Sequence, residues 1–287
     1  MGHKPADRNG LSHLRDQERG GFSPGRAYFR TMASHPLVAT ASSYWSESEF
    51  ARRIALAREP QPEDARGPRA GLFAAELGYV IEPIRRGLDP WVPAVARCPR
   101  TVMLLPGFGA HPVRMRFMAR QLEAAGHRVK RWGQGFNLGV TPHTLDRIED
   151  RLVDIHARFG EPVHLVGWSL GGVYAREVAK RRPGAVAKVV TLGTPFSGNP
   201  RANNGWRAYH LIAGHRVEEP PVDCEVSAKP PVETVALWSP RDGVVHPRSA
   251  CGKTGERDRA VALRCTHMGF VHSREGIEAV LRELDSD

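Results

Sequence analysis

The sequence predicts an α/β fold: a mostly parallel six-stranded sheet with helices on both faces. Three observations predict it. From residue 100 onward, short apolar runs alternate with stretches whose apolar residues recur at helical spacing, the pattern of repeated strand–helix units. Several of those runs end in glycine, as in TVMLLPG, PVHLVG and AKVVTLG, where a strand turns sharply toward the next element. The chain has 287 residues, 41% hydrophobic and 25% charged, an ordinary composition for a protein folding around its own core.

Residues 1–35 carry Gly, Pro and charge without apolar periodicity and read as a flexible basic arm. Residues 36–99 read as a helical extension packing on the core. Within it, SESEFARRIALAREP (46–60) spaces Phe50, Ile54 and Leu56 helically behind Ser46 as a cap. After a Pro-rich connector, AGLFAAELGYVIEPIRRGL (70–88) is a helical segment whose apolar face is expected against the main body. Residues 100–287 form the principal domain. TVMLLPG is a buried strand, RMRFMARQLEAAG a helix closed by Gly126, and HRVKRWG the second strand. TLDRIEDRLVDIHARFG places Leu145, Ile148, Leu152 and Ile155 on one buried helical face. PVHLVG, AKVVTLG, VETVALW and AVALRC supply four more strands, SLGGVYAREVAKRR a helix after the first of them, and REGIEAVLRELD a closing helix. Residues 196–231, rich in Pro, Gly and Asn, are too long for a plain connection and read as a cap or lid over a pocket.

Composition narrows the function classes. No run reaches the ~18 apolar residues of a membrane-spanning helix, and the N-terminal stretch lacks the apolar segment of a secretory signal. Net charge is +10, but the basic residues are scattered among acids, with no basic stripe interleaved with aromatics, so nucleic acid is not an expected partner. An Arg-rich solvated surface that favours anionic surfaces or substrates is the expectation instead. Cys98, Cys224, Cys251 and Cys265 are widely spaced without a C-x-x-C pair; no metal or cofactor is expected, and a cytoplasmic location is. Cys251 and Cys265 remain candidates for pairing in an exported protein.

Two stretches, GFSPG (21–25) and GWSLG (167–171), fit the pattern G-x-S-x-G that marks a serine nucleophile. Such a serine needs a strand before it, a turn tight enough to demand glycine, a helix directly after it, and a following N–H to donate to an oxyanion. Ser23 follows no apolar strand, and Pro24 has no N–H. Ser169 follows PVHLVG, opens the helix SLGGVYAREVA, and is succeeded by Leu170, whose N–H lies at a helix N-terminus. A serine also needs a base and a group to orient that base. Asp242, just after VETVALW, and His267, just after AVALRC, fall at the ends of later strands, on the edge that carries Ser169. Asp223 and Asp258, and His246, His272, His210 and His215, are rivals without that placement. The loop LLPGFGAH after the first strand offers Phe108 N–H as a second oxyanion donor.

With these stretches in place, the chain resembles the α/β-hydrolase superfamily, more narrowly the small bacterial lipases and esterases. The likeness runs from about Arg100 to the C-terminus and rests on VMLLPGFGA, RWGQGFNLG, VHLVGWSLGGVYAREVAKRRP, VTLGTPFSG, WSPRDGVV and THMGF. It implies nucleophile Ser169, acid Asp242, base His267 and oxyanion donors Phe108 and Leu170. Two departures stand out. Pro106-Gly107 replaces the His-Gly of many relatives, and the front antiparallel strands are missing, leaving a minimal six-stranded sheet.

The function expected is cleavage of carboxylic esters, through an acyl-enzyme, on a small-molecule ester or acyl substrate with an apolar acyl group. Acyltransferase or thioesterase action on the same triad is the alternative, and a non-catalytic binding protein the reading from another class. Phe136, Trp168, Phe196, Trp206 and Met268 are candidate walls of an acyl pocket, each weighed against plain core packing. Asn137, in GQGFNLG, is read as capping its turn.

Overall fold

Six strands run parallel in one sheet: β1 Thr101–Leu105, β2 Arg128–Arg131, β3 Val163–Trp168, β4 Val186–Leu192, β5 Glu233–Trp238 and β6 Arg259–Ala262. The computed structural model describes residues 47–81, 84, 87 and 91–286. The arm expected over 1–35, the beginning of the 36–99 extension and Ser23 lie outside the described residues.

The order across the sheet is β2-β1-β3-β4-β5-β6. The chain steps outward from β1 to β2, returns to the far side of β1 as β3, then steps outward again to β6. The reversal falls between β1 and β3. Connections leaving these two carboxyl ends diverge to opposite sides, which opens a crevice there, the usual ligand position in such sheets.

Side chains alternate across the sheet with period two. Val102, Leu104, Val166, Val190 and Val235 enter one apolar layer with Met118, Leu122, Phe270 and Ile277. Met103, Leu105, Leu165 and Val189 enter the other, against helix Thr144–Phe159 and helix Leu170–Arg181. Leu145, Ile148, Leu152 and Ile155 are buried, so the helical stripe read from the sequence is the packed one. Burial on both faces explains why β1 and β3 read as continuous apolar runs rather than alternating ones. Among the described residues, no helix is long and apolar enough to cross a membrane.

Within the extension, the buried side chain differs from the apolar face expected of 70–88. Helix Glu47–Ala57 lies against helix Trp206–Ala213 of the 196–231 segment, where Arg53 donates to the carbonyls of Leu211 and Ile212. Helix Ala70–Ala75 continues as a 3₁₀ turn, Glu76–Ile81. Most of its apolar side chains do not face the body: Phe73, Leu77, Val80 and Ile81 are exposed, Tyr79 lies against His272, and the buried member is Glu76. A carboxylate can go inside here because backbone N–H groups await it there.

Candidate active site

β3 delivers Ser169 to the switch-point crevice. Among described non-glycine residues, Ser169 alone has positive φ (54°, with ψ −124°), a strained conformation held by its surroundings. Its N–H donates to Leu192 O at 2.8 Å. The turn closes only because its neighbours lack side chains. A Cβ on Gly171 would run into the Leu105 carbonyl, and one on Gly167 into Gly172. Helix Leu170–Arg181 begins at the next residue and directs its N-terminus at this point.

The loop after β1 lies against the serine: a Cβ on Gly107 would stand 3.0 Å from Ser169 Cβ. Asn137, fully buried, holds that loop. Its Nδ2 donates to Pro106 O at 2.8 Å, and its Oδ1 accepts from Gly139 N and Tyr174 OH. Gly109 N donates to Asn137 O at 2.7 Å. The turn-capping expected of Asn137 therefore reaches across to the Phe108 loop.

Asp242 and His267 follow β5 and β6, and both are buried. Asp242 Oδ1 accepts from Val244 N and Val245 N, each at 2.8 Å, which leaves Oδ2 for His267 Nδ1, also at 2.8 Å. Space for the pair comes from Gly193 at the end of β4, where a Cβ would stand 2.8 Å from Asp242 Oδ2. Burial alone would push the imidazole toward its neutral form. The Asp242 charge, its hydrogen bond and the Glu76 charge outweigh that, so the His267 pKa is raised above 6.5. Trp168 Nε1 donates to His267 O at 3.1 Å, and Ser239 Oγ donates to Cys265 O at 2.6 Å, tying the two loops together.

The rival histidines and one rival acid are engaged elsewhere. His246 caps a short helix through Arg248 N, His210 bonds Leu56 O, His215 bonds Val140 O, and the ring of His272 stacks near Tyr79. Asp258 accepts from Thr234 N and pairs with Lys229.

Ser169 and His267 line one cleft of about 200 Å³, with Phe108, Trp168, Leu170, Trp206 and Met268 in its walls. Phe136 is not among them. It is 63% exposed and packs on His111. Phe196 is also absent from this cleft. Its ring is buried beneath the Arg176 guanidinium, and it lines a neighbouring cavity of about 310 Å³. That cavity shares Leu170, Pro195, Tyr209 and Val217 with the cleft.

Sequence reasoning missed Glu76. Its Oε1 accepts from Gly243 N at 2.8 Å and His267 N at 2.7 Å, and its Oε2 from Met268 N at 2.9 Å. The one local signal was an acidic residue interrupting an apolar stretch. Among the described residues, no three His, Cys, Asp or Glu side chains are grouped to hold a metal ion.

Comparison with known proteins gives a match of residues 102–274 to the alpha/beta hydrolase family. A pimeloyl-[acyl-carrier protein] methyl ester esterase from Methylococcus capsulatus is 30% identical over 122 residues, 39% of this chain and 42% of that enzyme. The match thus spans less than half the length of this curated relative. Among solved structures, the mature Bacillus licheniformis lipase BlEst2 superimposes with a TM-score of 0.51 at 16% identity, covering 69% of this chain and 96% of that one. Aspergillus fumigatus lipase B gives 0.50 at 15% identity, covering 68% of this chain and 56% of that one. At such identities the two solved structures speak for the fold alone.

Proposed function

The chain belongs to the alpha/beta hydrolase family, and from that premise we propose that it is a serine hydrolase cleaving carboxylic esters through an acyl-enzyme. The supporting observation is the buried Asp242–His267 pair, bonded at 2.8 Å, whose His267 member lines the same cleft as Ser169, the residue at positive φ. With Nδ1 committed to Asp242, Nε2 is the nitrogen left to take a proton from Ser169 Oγ. The alkoxide forms a bond to the ester carbonyl carbon, and the carbonyl electron pair moves to oxygen. Phe108 N–H and Leu170 N–H hold that oxyanion, each contributing about 3 kcal/mol. Collapse breaks the ester C–O bond, and His267 protonates the departing alcohol. Water then gives its proton to His267 and attacks the acyl carbon, and in a second collapse the bond to Ser169 Oγ breaks, His267 returns the proton to that oxygen, and the acid is released.

The apolar walls around Ser169 favour an apolar acyl group, and the adjoining cavity offers space for its continuation. Segment 196–231 contributes Trp206, Tyr209 and Val217 to the cleft, in keeping with a cap. The methyl ester esterase relative supports an ester rather than another acyl compound.

A fluorophosphonate probe tests this. Labelling is expected in the wild type and lost in Ser169→Ala and His267→Ala, together with hydrolysis of p-nitrophenyl esters of graded chain length. Labelling that survives in Ser169→Ala would overturn the assignment. Preference for acyl-CoA, or transfer to an added alcohol, would move the same site to a thioesterase or acyltransferase.

A further inference from the structure

We propose that Glu76 is a positioning residue for the base: a carboxylate from the N-terminal extension that clamps the His267 loop to the Asp242 loop and adds a second negative charge behind the imidazole. The proposal deepens the hydrolase reading and rests on His267 being its base.

Glu76 accepts from one amide of the acid loop, Gly243 N, and from two of the base loop, His267 N and Met268 N, all at 2.7–2.9 Å. These partners lie 167 to 192 residues away along the chain. A carboxylate placed merely to end a helix would satisfy amides of its own turn; this one joins two others. The approach is close: a Cβ on Gly243 would collide with the Leu72 carbonyl, so the extension seats directly on the acid loop. Two of the bonded amides belong to His267 and its successor, so the height and tilt of the ring depend on where Glu76 sits. Charge adds to geometry. The charged groups facing the buried imidazole are Asp242 and Glu76, both favouring its protonated form; its ring neighbours are Trp168 and Phe270. In the proposed reaction the imidazolium appears during both acylation and deacylation, and a second carboxylate steadies it each time.

Two variants of the full chain test this by steady-state kinetics across pH and by NMR titration of the His267 ring. Glu76→Gln keeps the shape, removes the charge and turns an NH₂ group toward an amide donor. It is expected to lower kcat on the order of 10- to 100-fold with little change in KM, because a displaced base harms the transition state more than binding. Both the ring titration and the acid limb of the pH profile move to lower pH. Glu76→Asp keeps the charge but falls a methylene short of the amides, so kcat drops while the titration stays near that of the wild type. Wild-type kcat and an unmoved titration in both variants would overturn the proposal. If Glu76→Gln does not fold, Glu76→Asp decides alone, since wild-type turnover there refutes the clamp. A wild type without esterase activity or probe labelling would sink the hydrolase reading instead. The ring titration, independent of turnover, would still report the Glu76 charge.

Discussion

Replacing Asp242 with Asn separates the electrostatics of the site from its shape. The side chain is fully buried, and its Oδ1 receives Val244 N and Val245 N, so an Asn amide oxygen is held at that position. The amide nitrogen must then occupy the place of Oδ2, 2.8 Å from His267 Nδ1. Two donors cannot face each other there. The ring answers by carrying its proton on Nε2 and presenting a bare Nδ1, the tautomer that cannot accept a proton from Ser169. The lost charge adds to this. At 2.8 Å and an effective dielectric near 20, a carboxylate and an imidazolium attract by about 6 kcal/mol. A neutral amide retains a fraction of that, so we expect kcat/KM to fall by about 10³- to 10⁴-fold, or ~4–5.5 kcal/mol of barrier. The assay is steady-state hydrolysis of a p-nitrophenyl ester at pH 8, beside thermal unfolding, whose midpoint should change little. Activity within tenfold of the wild type would refute the reasoning, since neither tautomer control nor charge could then matter at His267.

The same geometry predicts three further outcomes. Gly171→Ala drives a Cβ into the Leu105 carbonyl, a backbone group that cannot step aside, so chemical denaturation should show a loss of about 3 kcal/mol or more. Asn137→Ala removes the anchor of the Pro106–Gly109 loop and strands the Pro106 carbonyl. Stability should fall by about 1–3 kcal/mol, and kcat about tenfold with KM nearly unchanged, as expected for a misplaced oxyanion donor. Burial, helped by the nearby Arg100 and Lys188 charges, lowers the His164 pKa from 6.5 to about 4. The unfolded chain therefore binds a proton below pH 6.5 that the folded chain refuses, and stability falls as pH drops from 6.5 toward 4, by ~3 kcal/mol in all. Denaturation of His164→Gln should lack this part of the pH dependence, and curves that stay parallel to the wild type would refute the assignment.

The turn at Ser169 was legible in the sequence because every demand on it is local. A strand, a glycine turn and a helix stand within a few residues, and the strained φ of Ser169 is what such a turn produces. The meeting of Asp242 and His267 was legible at longer range because a parallel sheet gathers all strand ends on one edge, so sequence order stands in for space. That substitution fails for side chains away from strand ends. Phe136 and Phe196 lie as near to motif residues in sequence as Trp168 and Met268 do. Yet one turns to solvent and the other slips under Arg176, since the direction of a loop side chain depends on anchors such as Asn137 that no periodicity records.

Glu76 marks the deeper limit. Its partners are backbone amides, which carry no residue identity, and an amphipathic reading of 70–88 rewards the apolar positions that the structure leaves exposed. The physical reason is an asymmetry of demand. Two loops that end buried with unpaired N–H groups need an acceptor more than the sheet needs further apolar cover, because its faces are already closed by the helices on either side. A lone acid inside an apolar stretch outside the sheet is thus a position to test first, before the aromatic residues that flank a motif.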